Sequence, residues 1–477
     1  MTSAPRIADR IAGGLAALLL VAGLSAAPKA ASAETLADSL ASAYNNSGLL
    51  DQNRALLRAA DEDVAVALAA LRPVINWTSR LRRSFGETRN TGAFGVTTND
   101  TANTSATLGI NMEVLLYDFG ASKLRTDAAK ETVLATRLGL VSVEQQVLLR
   151  AVRAYMNVRR ESENVALRQN NLRLIQQELR AARDRFEVGE VTRTDVSLAE
   201  ARLAGARANL AVSQGNLAQA VEEFRAAVGR APGSLAPPAR PPQTVSTEAE
   251  AKSVAVRNHP DILQAQREIT VAELGVAIAE AAMKPSVSFG AGVNVTENFN
   301  SPNYTRGGEM SLSASGPIYQ GGRLSALLRQ SMARRDAARA ALHIVRLQVQ
   351  QDAGNAFALV RVARAARDAS EQQIRAAQVA FEGVREEAKL GARTTLDVLN
   401  AEQELLDARG GRISAIADEY IAAYSLLAAI GLMTADHLNL RVQRYDPAMY
   451  YNLVKDGPAV SQQGEALNRV LRALGDE

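Results

Sequence analysis

The chain has 477 residues, a net charge of +3, 22% charged residues and only 4% aromatics. No basic tract of five or more stands out, which argues against nucleic acid as the main partner. With no cysteine and three histidines, it has no disulfide framework and little from which to build a metal site.

At the N-terminus, Arg6 and Arg10 precede the apolar run Ile11–Leu24, and Ala31-Ser32-Ala33 follows with small residues. This pattern predicts a secretory signal peptide over residues 1–33, removed before Glu34. At 14 residues the run is short for a spanning helix, and no later stretch approaches 18 consecutive apolar residues. Any entry into a membrane must therefore be made by β-strands.

A helix is predicted over Leu49–Leu71, followed by a β-hairpin over about residues 73–117. In Ser105–Tyr117 the even positions Ala106, Leu108, Ile110, Met112, Val114 and Leu116 are apolar, and the odd positions up to Glu113 are small or polar. That alternation is the period of a half-buried strand, and its length suits a tilted strand crossing an outer membrane. Ile75, Trp77, Leu81 and Phe85 give the first strand a looser version.

Residues 120–229 then read as a long helical hairpin. Val158, Val165, Leu172, Leu179 and Phe186 recur at steps of seven, as do Val196, Leu203, Leu210, Leu217 and Phe224 beyond a break. A sustained step of seven predicts supercoiled helices packed along a seam. The outgoing arm would reach about 100 Å at 1.5 Å per residue, too long for a compact ball.

The break, VGEVTRTDV at Val188–Val196, recurs as LGARTTLDV at Leu390–Val398, 202 positions on. Tyr117 and Tyr319 keep the same offset, as do Gly229 and Gly431, whereas Pro73 and Pro285 are 212 apart. The chain is thus a tandem duplication: repeat 1 over 34–229, a Pro-rich connector over 230–246, repeat 2 over 247–431, and a tail over 432–477 without a motif. The ten extra residues of the first hairpin are expected to form a longer loop. Repeat 2 has its helix at Asp261–Met283, its β-hairpin over about 285–319 and its helical hairpin over 322–431, with a seam through Leu399, Leu406, Ile413, Tyr420 and Leu427.

The nine-residue breaks, at 188–196 and 390–398, are expected to be helix–turn–helix tips. Gly189 and Gly391 can end one helix in the left-handed conformation. Thr192 or Thr194, and Thr394 or Thr395, can cap the next, with Asp195 and Asp397 near its positive end. A turn that does nothing else is the bland reading of the same letters.

A search for chemistry finds no histidine pair at i, i+4, no phosphate loop and no nucleophile elbow. No enzyme and no cofactor is expected. Four strands cannot close a barrel by themselves, and open edges are forbidden in lipid, so a membrane role requires several chains. A trimeric structural or adhesive coiled-coil protein without transport activity is the alternative; it has no use for duplicated tips.

The stretches SGPIYQGGRLSALLRQ (Ser315–Gln330), HPDILQAQREI (His259–Ile269) and LGARTTLDVLNAEQELLDAR (Leu390–Arg409) resemble the TolC family of outer-membrane efflux proteins, over about Glu34 to Met433. The resemblance implies a mainly α fold with a transmembrane β-barrel contribution. It implies a homotrimer in the outer-membrane lipid, with four strands per protomer in a twelve-stranded barrel and a coiled-coil α-barrel in the periplasm. Short helices, connector and tail would form an equatorial belt. The implied function is a channel-tunnel for efflux or type I secretion. Its partners would be a periplasmic adaptor and an inner-membrane pump of the ABC or resistance-nodulation-division type, and overall similarity leans to the secretion subgroup.

By motif position, the resemblance makes Arg393 a basic latch, Thr194 and Asp195 its partners on the facing tip, and Asp397 an acidic ring residue at the aperture. Asn400 stands where a second acid is expected, and Ala388 where some members have Tyr. Arg193 and Lys389 add positive charge for the latch or the adaptor.

Overall fold

A computed structural model describes residues 33–456 except 243, with Glu465, Arg469 and Arg472 beyond them. The predicted signal peptide, apart from its last residue, and most of the tail after 456 lie outside the described residues. Along the chain run α1 (Leu36–Asn45), α2 (Gly48–Ala69), β1 (Val74–Gly92), β2 (Gly95–Tyr117), α3 (Ala121–Glu187) and α4 (Arg193–Val228). The second half repeats the order with α5 (Glu248–Asn258), α6 (Pro260–Ala281), β3 (Ser286–Asn298), β4 (Tyr304–Ser315), α7 (Arg323–Lys389) and α8 (Thr395–Ala429), and α9 (Pro447–Val454) follows them.

The four strands make one antiparallel sheet in the order β1-β2-β3-β4. Its register puts the apolar sets on one face: Ile75 opposite Met112, Met112 opposite Ala291, and Ala291 opposite Met310. The other face carries Asn76, Asn111, Gly292 and Glu309 in one rung, and Arg80, Thr107, Thr296 and Thr305 in another. On the apolar face Trp77, Met310 and Leu312 are 74%, 83% and 71% exposed in the single chain. Such a surface needs an apolar neighbour. Among the described residues no helix is long and apolar enough to cross a membrane.

The ten extra residues of the first hairpin do not form the longer loop expected of them. β1 and β2 run to 19 and 23 residues against 13 and 12 for β3 and β4. The pairing continues to Gly92 opposite Gly95, leaving only Ala93 and Phe94 in the turn, so the extra residues extend the ladder. Their side chains are mostly Thr, Asn and Arg, which hides the strand from a reading based on apolar alternation.

The long helices α3 and α7 each have 67 residues, about 100 Å of helix. Each pairs with its returning partner, α4 or α8, as an antiparallel hairpin. Val158, Val165, Leu179, Leu399, Leu406 and Leu427 of the heptad seams are buried. Val196, Leu203 and Leu210 are only half-buried, and Phe186, one turn from its tip, is 45% exposed.

The main core lies at the equator, where α1, α3, α4, α5 and α8 converge on Leu40, Leu148, Tyr155, Phe224, Leu426 and Met433. The Tyr155 hydroxyl reaches two backbone carbonyl oxygens, Glu34 at 3.0 Å and Ala236 at 2.6 Å, and so ties the start of repeat 1 to the connector. At the end of α8, Gly431 has φ of 79°, and a Cβ there would lie 2.7 Å from the Asn258 carbonyl oxygen. The tail also joins this belt: Tyr450 donates its hydroxyl to Glu62 of α2 at 2.6 Å, and Arg54 of α2 stacks on the rings of Tyr44 and Tyr445.

Candidate functional site: the two helical tips

Both breaks fold as the same object. α3 ends at Glu187 with Val188 as its C-cap, and Gly189 follows with φ of 83°. The Gly189 N–H donates to the Phe186 carbonyl at 3.1 Å and the Glu190 N–H to the Arg185 carbonyl at 2.9 Å. In the second tip, Gly391 has φ of 77°, its N–H donates to Ala388 at 3.1 Å, and the Ala392 N–H donates to Glu387 at 2.9 Å. These paired bonds are the Schellman closure, and they satisfy carbonyls that the helix end leaves open.

The returning helix begins at Arg193 in the first tip and at Thr395 in the second. Of the threonines that could cap it, Thr192 and Thr394 do so. Each lies three residues before an Asp, the spacing that closes a reciprocal box. The Thr192 N–H donates to Asp195 Oδ2 at 2.9 Å, and the Asp195 N–H donates to Thr192 Oγ1 at 3.3 Å. The corresponding bonds between Thr394 and Asp397 measure 3.0 and 3.2 Å. Hydrogen bonds from the Thr192 side chain and backbone hold the Asp195 carboxyl below the ordinary range. Asp397 is lowered by the Thr394 backbone and side chain, and further by Arg393.

The side chains around these matched backbones differ. Arg393 donates Nε–H to Glu387 Oε2 at 2.8 Å within its own tip, and Lys389 reaches Glu386 at 2.6 Å. Among the described residues no hydrogen bond or ion pair joins Arg393 to Thr194 or Asp195 of the same chain. Arg193 and Thr194 are exposed on the first turn of α4. Asn400, one turn into α8, accepts from Arg202 of α4 at 2.9 Å and so bonds the second hairpin to the first.

Two residues near the tips were not singled out by sequence: Glu402 of α8 and Asn171 of α3, which are buried against each other. Glu402 lies three residues after Leu399, in the seam that runs on to Leu406. A carboxylate inside an apolar heptad is the signal that could have found it. Among the described residues no group of His, Asp and Glu is placed to hold a metal ion.

A family model described as outer membrane efflux protein matches residues 39–230 and 252–432. The outer membrane efflux protein BepC of Brucella suis is 35% identical over 444 residues, covering 93% of this chain and 95% of BepC. The outer membrane protein TolC of Vibrio cholerae is 26% identical, over 87% of this chain and 95% of its own. In fold, the chain is similar to the crystal structure of the CmeC outer membrane channel of Campylobacter jejuni, with a TM-score of 0.73 at 15% identity over 90% of both chains. These comparisons give no support to the non-transport alternative.

Proposed function

The chain belongs to the outer membrane efflux protein family, and on that premise we propose that three copies form one gated duct. Cargo would pass from an inner-membrane pump and a periplasmic adaptor to the exterior. Each protomer would give its four strands to a twelve-stranded barrel and its two helical hairpins to a periplasmic α-barrel. The edges of the sheet support this reading. β1 and β4 each have one unpaired side, and in lipid their free N–H and C=O groups must find another copy. The exposed apolar face supplies the lipid contact. Passage through a duct asks no bond chemistry of the chain.

The observation that carries the gate is the duplicated tip, built twice with the same closure and the same capping box at the far ends of arms about 100 Å long. In a trimer six such tips would face one another at the aperture. We assign Gly189 and Gly391 to the turn itself, and Asp397 to the acidic ring. Arg393 is the basic latch toward Thr194 and Asp195 of a neighbouring protomer. Arg193 and Lys389 would serve the latch or receive the adaptor. Asn400 in place of an acid leaves the ring less charged. Exposed pairs of this kind are individually weak and act by number.

Conductance in planar bilayers tests the gate. Wild-type openings are expected to be small and cation-preferring, and Asp195→Ala combined with Arg393→Ala should enlarge them. Exchanging the two charges, Asp195→Arg with Arg393→Asp, should restore closure lost in either single variant. A wide conductance that ignores these changes would mean an open pore with ornamental tips.

A further inference from the structure

Toward the tips, the two helical hairpins of one chain are joined by side-chain hydrogen bonds at two points. Asn171 of α3 donates Nδ2–H to Glu402 Oε1 at 2.7 Å, and Arg202 of α4 donates Nη2–H to Asn400 Oδ1 at 2.9 Å. Both acceptors lie on α8, within about two turns of its N-cap Thr394. The two bonds differ in their surroundings. Asn400 is exposed, whereas Glu402 is 5% and Asn171 9% exposed. Beside them Phe381, Val398 and Leu405 form a small apolar core against which Leu174 of α3 packs.

Glu402 is therefore a carboxyl group set between hairpins, and its Oε2 has no hydrogen-bond partner. The charged groups facing it are Glu178 on α3, Arg202 on α4 and Arg385 on α7. Burial pushes its pKa up to about 7; Glu178 acts in the same direction, and the Asn171 hydrogen bond, Arg202 and Arg385 oppose it. An ionised carboxylate here would keep one oxygen dry and unpaired, a costly state that separation of the hairpins would relieve by admitting water.

We propose that Asn171 and Glu402 form a proton-controlled latch between the two hairpins of each protomer, which holds the second hairpin on the first and keeps the aperture shut. The latch rests on the gated-duct reading above and adds to it a closure inside the protomer, set back from the tip contacts between protomers. The direction of control follows from the raised pKa. The packed state binds the proton more tightly than the separated one. Packing is therefore strongest below the ordinary Glu value of 4.5 and weakens as pH rises to about 7. Acidity closes the duct, and a neutral or alkaline periplasm loosens it.

The experiment records trimers in planar bilayers from pH 5.5 to 8.0 at constant salt, for wild type, Glu402→Gln, Asn171→Asp and the tip variant Asp195→Ala with Arg393→Ala. Wild-type open probability should rise several-fold with a midpoint near 7. Glu402→Gln, the same shape without the charge, should stay at the acid level throughout. Asn171→Asp sets a second carboxylate against Glu402 and should open further than wild type at pH 8.0. Unfolding temperatures of the trimers confirm that each variant is folded. A wild-type pH response that survives in Glu402→Gln would overturn the latch. So would a flat wild-type profile in a channel that the tip variant still opens. Trimers that conduct under no condition, tip variant included, would instead overturn the duct reading and the latch with it.

Discussion

At the equator Leu148, Tyr155, Phe224 and Leu426 are wholly buried where helices of both repeats meet, while at the tips Val188 and Leu390 stand 71% and 86% exposed. Both regions come from the same duplicated unit. The equator is held by apolar burial between elements distant in sequence, and the tips by backbone closures and capping boxes that span fewer than ten residues. A region held locally keeps its shape while its neighbours move. The tips therefore do not depend on the equatorial core for their local shape.

Emptying the equatorial core should cost the most stability. Leu426→Ala empties a site that has no exposure and should cost about 2–5 kcal/mol, seen as a lower unfolding temperature and a smaller yield of trimer. The trimers that do form should keep wild-type conductance. If conductance rose with the loss of stability, the equator would be part of the gate and not its anchor.

A smaller and opposite effect is expected at the tip. Gly391→Ala forces a side chain onto a residue with φ of 77°, at about 1–2 kcal/mol. Open space surrounds that position, so the penalty is conformational and falls on the turn alone. Hydrogen exchange should quicken at the end of α7 and the start of α8 with the global unfolding temperature almost unchanged. A large global loss would mean that the tip helps to hold the whole chain.

What the sequence discloses follows the same division. Apolar alternation finds the parts of the strands that carry Ile110, Met112 and Met310, and steps of seven find the arms, because in both the burial pattern repeats over short distances. The tips are legible to the level of Gly, Thr and Asp, and the choice of Thr192 over Thr194 is settled by the three-residue spacing to Asp195. The upper halves of β1 and β2 escape, because their Thr- and Asn-rich faces leave no apolar period to read. The docking of α9 on α2 escapes because Tyr450 and Glu62 are brought together from opposite ends of the chain. The pairing of Glu402 escapes for a related reason. A carboxylate in the Leu399–Leu406 seam marks the position, but its partner Asn171 belongs to the other repeat, so the pairing is a property of how two hairpins pack.

Asp195 and Asp397 have carboxyls held below the ordinary value of 3.8 by the threonines they face. The stability that each box contributes is fully present above that value and is lost only as pH falls through the lowered one. Between pH 5.5 and 8.0 both boxes should therefore stand unchanged. Amide exchange in the first turns of α4 and α8, corrected for the intrinsic rate, should show the same protection at both ends of that range. A change in gating over the same interval would then point away from the boxes and toward the buried Glu402, whose pKa burial pushes up to about 7. Protection that fell with rising pH would place the sensor in the tips themselves, and the buried carboxyl between the hairpins would be reduced to a packing residue.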